Sequence, residues 1–263
     1  MPNDRVIIAL LTDFGLDDWY AGEMKGAILS RCPEAVVVDI CHTVPPGDIR
    51  SGAFALLASY RTFPDKTVFC AVVDPGVGGN RKAIVMKAGP YLFCGPDNGI
   101  LSWVGEREKK VDFYEIERQD LFRYPVSTTF HGRDIFAPIA AELASGLDPV
   151  SIGPLLTTWV KLEWPKVRFS DGKIIGEVIY IDRFGNAITS ITAQQIPQES
   201  VQSISLCLPQ KKCEFKYGTH FNDVPEGELV GYTGSAGFVE IATNGGNAKV
   251  RFSLYIGDSV IIS

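Results

Sequence analysis

The first half of the chain alternates short apolar runs with longer segments that carry apolar residues at helical spacing. The runs at 6–11, 35–40 and 67–73 are almost continuously apolar and rich in β-branched residues, which is typical of strands buried on both faces. The segments 21–32 and 48–63 lie between these runs and are amphipathic, so they predict helices. This alternation predicts an α/β fold with a parallel sheet covered on both faces.

Further apolar runs follow at 83–89 and 91–95, and a helical pattern at 134–146 ends at Gly146. Glycine is frequent just past a helix C-terminus because it adopts a left-handed conformation without strain. The alternation of strands and helices stops after this helix. We therefore predict that the α/β domain covers residues 1–157.

The remainder of the chain is dominated by short strand patterns separated by turn residues. After a predicted linker at 158–168, strands are expected at 172–182, 187–192, 203–208, 229–234, 238–242, 248–255 and 259–263. Short strands at close spacing are typical of a small β-barrel or sandwich. The sequence therefore predicts an all-β domain over residues 169–263.

The composition narrows the classes of partner. The 263 residues include 25 basic and 31 acidic side chains, which gives a formal net charge of −6. Nucleic-acid-binding proteins usually present a basic face, and the longest basic cluster here, 107–110, is interrupted by Glu108. No apolar run approaches the roughly 18 residues that span a bilayer. We expect neither a nucleic acid nor a membrane as a partner.

The N-terminus and the cysteines predict a cytoplasmic protein. The first predicted strand is not preceded by the basic segment, apolar segment and cleavage site of a secretory signal. The cysteines lack CxxC spacing and several lie inside apolar runs, so we expect reduced core residues rather than disulfides. They are Cys32, Cys41, Cys70, Cys94, Cys207 and Cys213.

Polar residues that directly follow the predicted strands are the first candidates for a binding site. Ligands of parallel α/β proteins bind at the carboxyl ends of the strands. Asp13 ends the first strand, and Asp18 lies in the loop before the next helix. A carboxylate in this place can accept two hydrogen bonds from a ribose diol. The alternative is that these acids cap the helix, and the pattern alone does not separate the two.

A second candidate segment, 74–81, combines a carboxylate, a glycine-rich loop and an arginine. Asp74 follows the strand at 67–73, and Arg81 ends the loop. Glycine-rich loops after strands often bind phosphate, but this one matches neither the GxGxxG nor the P-loop pattern. The sequence therefore indicates a phosphate site only weakly.

Two further segments contain polar residues next to predicted secondary structure. His131 and Arg133 precede a predicted helix, with Asp134 in its first turn. A lone histidine is more often structural, although histidine is also the most frequent general acid or base. Phe184 and Asn186 lie in a turn between strands, where an aromatic face beside an amide suits an adenine ring. A Gly-Asn pair is equally an ordinary hairpin signal.

Seven segments run in order through nearly the whole chain: TDFGLDDWYAGEMKG, DICHTVPPGDI, DPGVGGNR, GPDNGIL, FHGRDIFAPIAAELASG, IDRFGNAITSI and GSAGFVEIATNGGNA. Together they resemble the S-adenosyl-L-methionine hydrolase (adenosine-forming) family, also called the SAM hydroxide adenosyltransferases. This family is related to the fluorinase and the chlorinase, which use the same substrate. The resemblance implies a Rossmann-like α/β domain with a parallel-rich sheet, a C-terminal β-barrel, and a homotrimer with active sites between subunits.

The resemblance also implies a reaction, the hydrolysis of S-adenosyl-L-methionine to adenosine and L-methionine. Water would attack the ribose C5′ in line with the sulfur, which leaves as a neutral thioether and needs no general acid. Asp74, Arg81 and His131 would hold and activate this water, and the sequence leaves open which of them takes the proton. The family suggests the non-physiological sulfonium diastereomer, and thus a role in metabolite repair.

The same resemblance implies the residues that bind the substrate. Asp13 would hold the ribose hydroxyls, and Asp18 would help to bind the methionine amino group. Phe184 and Asn186 would contact the adenine, while Asp182 would lie at the methionine end. Four further residues would complete the site: Ser235 beside the methionine, Phe221 against the adenine ring, and the backbone of Asn244 and Gly245 over the base.

The chain departs from the halogenating relatives at positions next to the expected nucleophile. The fluorinase pattern has Tyr where Asp74 stands, Thr at Val77, Trp at Gly47 and Ser at Gly132. A halide site needs hydroxyl donors and apolar walls, whereas a carboxylate repels an anion and can orient or deprotonate water. These departures favour hydrolysis over halogenation, which is the alternative within the family.

Alternatives from other classes are weaker. A protein that binds adenosine or S-adenosyl-L-methionine without turnover would use the same pocket, but the intact Asp74, Arg81 and His131 set argues against it. A dinucleotide-dependent oxidoreductase would need a glycine fingerprint where the chain has TDFGLDD. Asp13, Asp74, Asp97 and His131 lack the spacing of a metallohydrolase, so neither a metal nor another cofactor is expected.

Overall fold

The computed structural model describes residues 6–196, 204–208 and 211–263. At 204–208 and 211–212 it describes the backbone alone. The chain divides into two compact units, with the division between Leu162 and Glu163. That division falls inside the segment predicted as a linker. Within this segment Trp159 stacks on Phe113 at 4.2 Å, and the Val160 N–H donates to Asp97 at 2.9 Å, so both residues belong to the first unit.

The first unit is built on a six-stranded sheet in the order β2-β1-β3-β5-β4-β6. Its strands are β1 (Ile7–Thr12), β2 (Val36–Cys41), β3 (Val68–Val72), β4 (Ala83–Ala88), β5 (Tyr91–Pro96) and β6 (Val111–Glu115). The β1–β2, β1–β3 and β3–β5 pairs are parallel. β4 is antiparallel to β5, because the two residues Gly89 and Pro90 join them as a hairpin, and it is also antiparallel to β6. The predicted parallel-rich α/β sheet is confirmed.

Helices cover both faces of this sheet, as the apolar strands require. They are α1 (Tyr20–Leu29), α2 (Ile49–Ser59), α3 (Ser102–Arg107) and α4 (Ala137–Ala144), the last preceded by a π-helical turn, Gly132–Phe136. Ile8 and Leu10 of β1 pack with α1 and α4 in one core. On the other face, a Cβ placed on Gly52 of α2 would lie 3.0 Å from Val73, so α2 approaches the strands closely.

The second unit is a curled, mostly antiparallel sheet of eight strands. They are β7 (Arg168–Ser170), β8 (Lys173–Ile181), β9 (Ala187–Thr192), β10 (Ile204–Leu208), β11 (Lys211–Tyr217), β12 (Leu229–Thr233), β13 (Phe238–Thr243) and β14 (Ser259–Ile262). Among the strand pairs in the described part of this unit, β11–β12 alone is parallel. β14 pairs with both β10 and β8, which curls the sheet around a core that includes Val178, Ile191 and Val239. The prediction of a small β-barrel is confirmed in this form.

One predicted strand is wrong. Residues 248–255 read as extended, but the structure has a short helix there, α5 (Ala248–Phe252). The side chain of Asn247 accepts the Val250 N–H at 2.8 Å and caps the helix, and Ser253 ends it with a left-handed φ of 51°. The strand predicted at 203–208 is found at Ile204–Leu208, and residue 203 lies outside the described residues.

The cysteine prediction is right in part. Cys32, Cys70 and Cys94 are fully buried and free, whereas Cys41 and Cys213 are only partly buried, so the core assignment is wrong for Cys41 and right in part for Cys213, which packs against the core. Cys41 is the last residue of β2, and Cys213 lies on β11 at the side of the core. The side chain of Cys207 lies outside the described residues. Among the helices of the described ranges, none is long and apolar enough to cross a membrane.

Candidate active site

The ends of β1 and β3 bring two of the predicted carboxylates to one edge of the first sheet. Thr12 pairs with Val72, so Asp13 and Asp74 follow neighbouring parallel strands. Gly47 contacts Asp13 and lies close to Pro75, the residue after Asp74. Its N–H donates to Asp13 Oδ2 at 2.8 Å, and a Cβ on Gly47 would lie 3.6 Å from Pro75. Gly47 has a φ of +73°, which favours glycine there, and the sequence pattern alone does not reveal this requirement.

Asp74 and Arg81 form a buried ion pair. Arg81 Nε lies 3.1 Å from Oδ1 and 3.0 Å from Oδ2 of Asp74, and Arg81 Nη2 also donates to Oδ2. The two side chains are 5% and 12% exposed. Paired contacts of this kind are the strongest that arginine makes, and they fix the plane of the carboxylate.

The glycine-rich loop returns Arg81 to Asp74. The loop begins with a turn in which the Val77 N–H donates to the Asp74 carbonyl at 3.2 Å, and the Gly79 N–H donates to Gly76 at 3.0 Å. Gly78 has a φ of +77°, and a Cβ there would overlap the carbonyl oxygen of Thr128 at 2.3 Å. The glycines therefore allow a tight turn and close packing against the loop that leads to His131.

His131 is the third member of this set. Arg81 Nη2 lies 2.8 Å from His131 Nδ1. A guanidinium can only donate, so Nδ1 accepts and the ring proton resides on Nε2. Burial, reinforced by the positive charge of Arg81, lowers the pKa of His131 below its ordinary value. The ring is therefore neutral at neutral pH, with its Nε2–H as a hydrogen-bond donor.

The π-helical turn after His131 places an aromatic ring against Arg81. The Arg81 guanidinium carbon lies 5.3 Å from the centre of the Phe136 ring. Pro138 has no N–H for the carbonyl of Asp134, four residues earlier, and the Arg123 N–H takes that carbonyl at 2.8 Å instead. Phe136 and this exchange were not predicted from the sequence, because both depend on residues that are distant along the chain.

Arg133 and Asp134 form an ion pair that holds the local structure. Asp134 is fully buried, and it accepts from Arg133 Nε at 2.7 Å and from the Ser127 N–H at 2.8 Å. Burial alone would raise the pKa of Asp134, but the bonds from Arg133 and Ser127 hold it below its usual value. The pair anchors the loop before His131, which indicates a structural role for Arg133 and Asp134 rather than a role in the reaction.

The two acids of the first loop are placed differently from each other. Asp13 accepts from Gly47, and Asp18 is exposed to solvent in the loop before α1. The residue before α1 is Trp19, and no side chain caps that helix. The helix-capping interpretation of Asp13 and Asp18 is therefore wrong.

In the second unit, Asp182 and Asn186 close the turn between β8 and β9. The Asn186 N–H and Nδ2 donate to the two oxygens of Asp182 at 2.8 and 2.9 Å. Phe184 is 75% exposed at the tip of this turn. A Cβ on Gly185 would overlap the side chain of Asn247, which caps α5, so the turn is fixed against that helix. The predicted hairpin is confirmed, and it presents an open aromatic face.

Sequence reasoning missed a second polar group of this unit, Tyr232 and Glu240. Tyr232 Oη donates to Glu240 Oε2 at 2.9 Å, and Phe221 packs edge-on against Tyr232 at 5.1 Å. Burial raises the pKa of Glu240. Glu240 occupies the space where a side chain on Gly234 would stand, next to the exposed Ser235. These contacts order the turn that carries Ser235.

Asn244 and Gly245 lie in a neighbouring loop. The Asn244 N–H donates to Glu228 at 3.0 Å, and its carbonyl accepts from Gly227 at 2.7 Å. Its side chain donates to Val224 at 2.8 Å. Gly245 is exposed with a φ of +66°. The backbone of Asn244 is thus committed to the fold, and the open backbone of the pair is that of Gly245.

The first unit therefore joins Asp74, Arg81 and His131 directly and holds Asp13 beside them. Asp18 lies in an exposed loop. The second unit joins Asp182 with Asn186, and Phe221 with Tyr232 and Glu240. Within the described ranges, no three His, Cys, Asp or Glu side chains are grouped so that they could hold a metal ion.

Comparison with known proteins identifies the class to which this arrangement belongs. The chain matches the SAM hydroxide adenosyltransferase N-terminal domain over residues 8–153 and the corresponding C-terminal domain over residues 176–261. It is 37% identical over 257 residues to the (R)-S-adenosyl-L-methionine hydrolase of Thermus thermophilus, which covers 95% of this chain and 96% of that one. A relative of the same name from Methanocaldococcus jannaschii is 37% identical over 271 residues, with coverage of 97% and 95%.

A more distant sequence relative and a solved structure also match nearly the whole chain. The fluorinase of Nocardia brasiliensis is 28% identical over 291 residues, with coverage of 97% and 96%. The crystal structure of an uncharacterized conserved protein from Thermotoga maritima superimposes with a TM-score of 0.91 at 39% identity, covering 97% of this chain and 99% of that one. The protein is thus an enzyme with an α/β domain and a curled β domain. It belongs to the SAM hydroxide adenosyltransferase family.

Proposed function

We propose that this enzyme hydrolyses S-adenosyl-L-methionine to adenosine and L-methionine. The observation that carries the proposal is the buried Asp74–Arg81–His131 set at the carboxyl edge of the sheet. The names of the relatives at 37% identity support the same reaction and the (R) sulfonium epimer as the preferred substrate. A carboxylate at position 74 disfavours a halide as the nucleophile, since two anions repel each other.

In the proposed step, a water oxygen forms a bond to the ribose C5′ while the C5′–S bond breaks. The sulfur takes the bonding electron pair and leaves as the neutral thioether of methionine. The water loses one proton, so each turnover releases one proton at neutral pH. Positioning the water in line with the C5′–S bond can contribute several kcal/mol.

We assign the proton-accepting role to Asp74. His131 Nδ1 already accepts from Arg81, and its Nε2 carries a proton, so the imidazole offers the water a donor rather than a base. An ionised carboxylate has about four acceptor positions, and Arg81 leaves some of those on Asp74 available to a water. Arg81 holds the carboxylate and the imidazole in one plane of hydrogen bonds.

We assign the ribose diol to Asp13, which lies beside this set, and the methionine amino group to Asp18. Adenine recognition is assigned to Phe184 and Asn186, with Phe221 as a second aromatic contact. The open face of Phe184 supports stacking of the base. Asp182 and Ser235 are assigned to the methionine end, and Asn244 and Gly245 to the edge of the base.

The test is product analysis with separated (R) and (S) substrate in chloride-free buffer. We expect adenosine, methionine and one proton per turnover, faster with the (R) epimer, and a loss of turnover in Asp74→Asn. Asp65→Asn, at an exposed position, is the matched control and should retain activity. Formation of 5′-chloro-5′-deoxyadenosine on addition of chloride would favour halogenation, and tight binding without product would favour a binding protein.

We further propose a homotrimer whose active sites take residues from neighbouring subunits, as the family resemblance implies. Asp74→Asn and Asp182→Ala should each be inactive alone. After the two variants are dissociated, mixed and reassociated, some sites should receive both intact sets, and activity should return. If each site were made by one chain, the mixture would stay as inactive as its components.

A further inference from the structure

His42 is a buried histidine that the proposed reaction does not use. The residue is 3% exposed and directly follows β2. The pairing of β1 with β2 shifts at the ends of the strands, where Leu10 pairs with Asp39 but Leu11 pairs with Cys41. A bulge of this kind redirects the residues that follow it, and bulges are frequent beside active sites. Here the bulge determines where His42 meets the end of β1.

His42 is bonded to residues on both sides of Asp13. Its Nδ1 lies 2.8 Å from Thr12 Oγ1, and its carbonyl accepts the Gly15 N–H at 2.7 Å. The Phe14 N–H donates to the same Thr12 oxygen at 3.3 Å. Three of the residues around Asp13 are thus held within one network, which leaves the turn little freedom.

The direction of the Thr12–His42 bond follows from its surroundings. Thr12 Oγ1 accepts from the Phe14 N–H and still has its own hydroxyl proton to donate to His42 Nδ1. Nε2 lies 3.1 Å from Asp39 Oδ1, although it is not aligned for a hydrogen bond. A carboxylate on that side still favours the proton on Nε2 and leaves Nδ1 as the acceptor. In this tautomer the Thr12 hydroxyl donates and His42 Nδ1 accepts.

We infer that His42 is a positioning residue for the proposed reaction. Through Thr12 and Gly15 it fixes the turn that carries Asp13, and so the direction in which that carboxylate meets the ribose diol. The inference rests on the proposed role of Asp13. His42 itself contacts neither the ribose nor the reacting atoms, so its effect should appear in recognition of the diol.

Two pairs of variants separate this role from a general contribution to folding. Asn at position 42 places an amide oxygen near the position of Nδ1, whereas Gln extends its amide toward the position of Nε2. Thr12→Ser keeps the hydroxyl, and Thr12→Val removes it with little change of shape. His42→Gln and Thr12→Val are the test variants, and His42→Asn and Thr12→Ser are their matched controls.

The measurement is the ratio of the inhibition constants of adenosine and 2′,3′-dideoxyadenosine. The wild-type enzyme should prefer adenosine, and Asp13→Ala should lose that preference. His42→Gln and Thr12→Val should reduce it roughly tenfold, as expected for a displaced hydrogen-bond acceptor. They should raise KM more than they lower kcat. The two matched controls should stay close to the wild-type ratio.

The outcomes separate the proposed role of Asp13 from the positioning role of His42. If Asp13→Ala retains the preference for the diol, the proposed role of Asp13 is wrong. If Asp13→Ala loses the preference while folded His42→Gln and Thr12→Val enzymes keep it, the positioning role of His42 is overturned. Melting temperatures identify the folded variants, and Thr12→Val provides the answer if His42→Gln does not fold.

Discussion

Nη2 of Arg81 donates to Nδ1 of His131 at 2.8 Å, and this contact determines the protonation of the imidazole. Arginine has no acceptor, so Nδ1 is unprotonated and Nε2 carries the ring proton. The same guanidinium is bonded to both oxygens of Asp74. The buried set thus contains one anionic acceptor, Asp74, and one neutral donor, His131, which is the physical basis of the proposed roles.

Replacement of Arg81 by lysine should separate the two partners. An ammonium is a compact donor that cannot hold the carboxylate through two nitrogens and also reach His131. We expect kcat to fall by about 10²-fold or more, the lower end of a general-base contribution. Arg118→Lys is the matched control, because Arg118 pairs with Asp120 at the surface. Equal effects of the two variants in steady-state kinetics would contradict the assignment.

The protonation of His131 should set the acidic limb of the pH–activity profile. The pKa of His131 is lowered, so the neutral acceptor form predominates at neutral pH and is lost only as the pH falls below the ordinary histidine value of about 6.5. We expect kcat/KM to decline below that pH and the corresponding limb to be absent in His131→Asn. The ¹⁵N spectrum should show His131 as the Nε2–H form, identified by its loss in His131→Asn. A resonance of the Nδ1–H form would contradict the geometry.

A side chain at position 132 should crowd the residues that pack against Gly132. A Cβ there would lie 3.2 Å from Met24 Sδ and 3.2 Å from Phe14 Cζ. We expect Gly132→Ala to lower the free energy of unfolding by about 1–3 kcal/mol, as overpacking does, and to reduce activity by moving His131. Gly26→Ala in α1 is the control, because nothing lies within 4 Å of its Cβ position. That variant should be neutral or stabilising by up to about 1 kcal/mol in denaturant titrations.

Asp134 should contribute to stability rather than to chemistry. Asp134→Asn removes the buried negative charge that pairs with Arg133, and we expect a loss of about 3 kcal/mol, the lower end for a broken buried pair. The pKa of Asp134 is held low, so its contribution is present at neutral pH and is lost as the pH falls below about 4. Asp120→Asn at the surface should leave the unfolding midpoint unchanged. A stable Asp134→Asn protein would refute the structural role.

Phe184 should matter for binding and not for the chemical step. We expect Phe184→Leu to raise KM by roughly tenfold, since stacking of a base on an aromatic ring contributes about 1–3 kcal/mol, and to leave kcat nearly unchanged. Phe169→Leu offers a matched control, because Phe169 is similarly exposed on β7. An unchanged KM in Phe184→Leu would remove this residue from the adenine site.

The strands and the fold class were predictable because their signals are local. The apolar runs at β1, β2 and β3 specify buried strands by themselves. The segment 248–255 was mispredicted because a single cap, Asn247, outweighs a weak alternation. The antiparallel placement of β4 arises from a two-residue turn that the run of apolar residues does not reveal.

The site was predictable residue by residue but not as a unit. Asp13, Asp74 and Phe184 each follow a strand, and that position alone marks them. The joining of Asp74 to His131 depends on Arg81, on the contact of Gly78 with Thr128, and on the π-helical turn. These contacts link residues about 50 positions apart, and the bulge that places His42 likewise depends on the register of two strands.

The central claim, that water attacks the ribose C5′ beside Asp74, is tested most directly by isotope labelling. The enzyme is incubated with (R)-S-adenosyl-L-methionine in H₂¹⁸O, and both products are examined by mass spectrometry. The account predicts one ¹⁸O atom in the 5′-hydroxyl of adenosine, none in methionine, and no labelled product from Asp74→Asn. Adenosine without ¹⁸O, or undiminished labelling by Asp74→Asn, would contradict it.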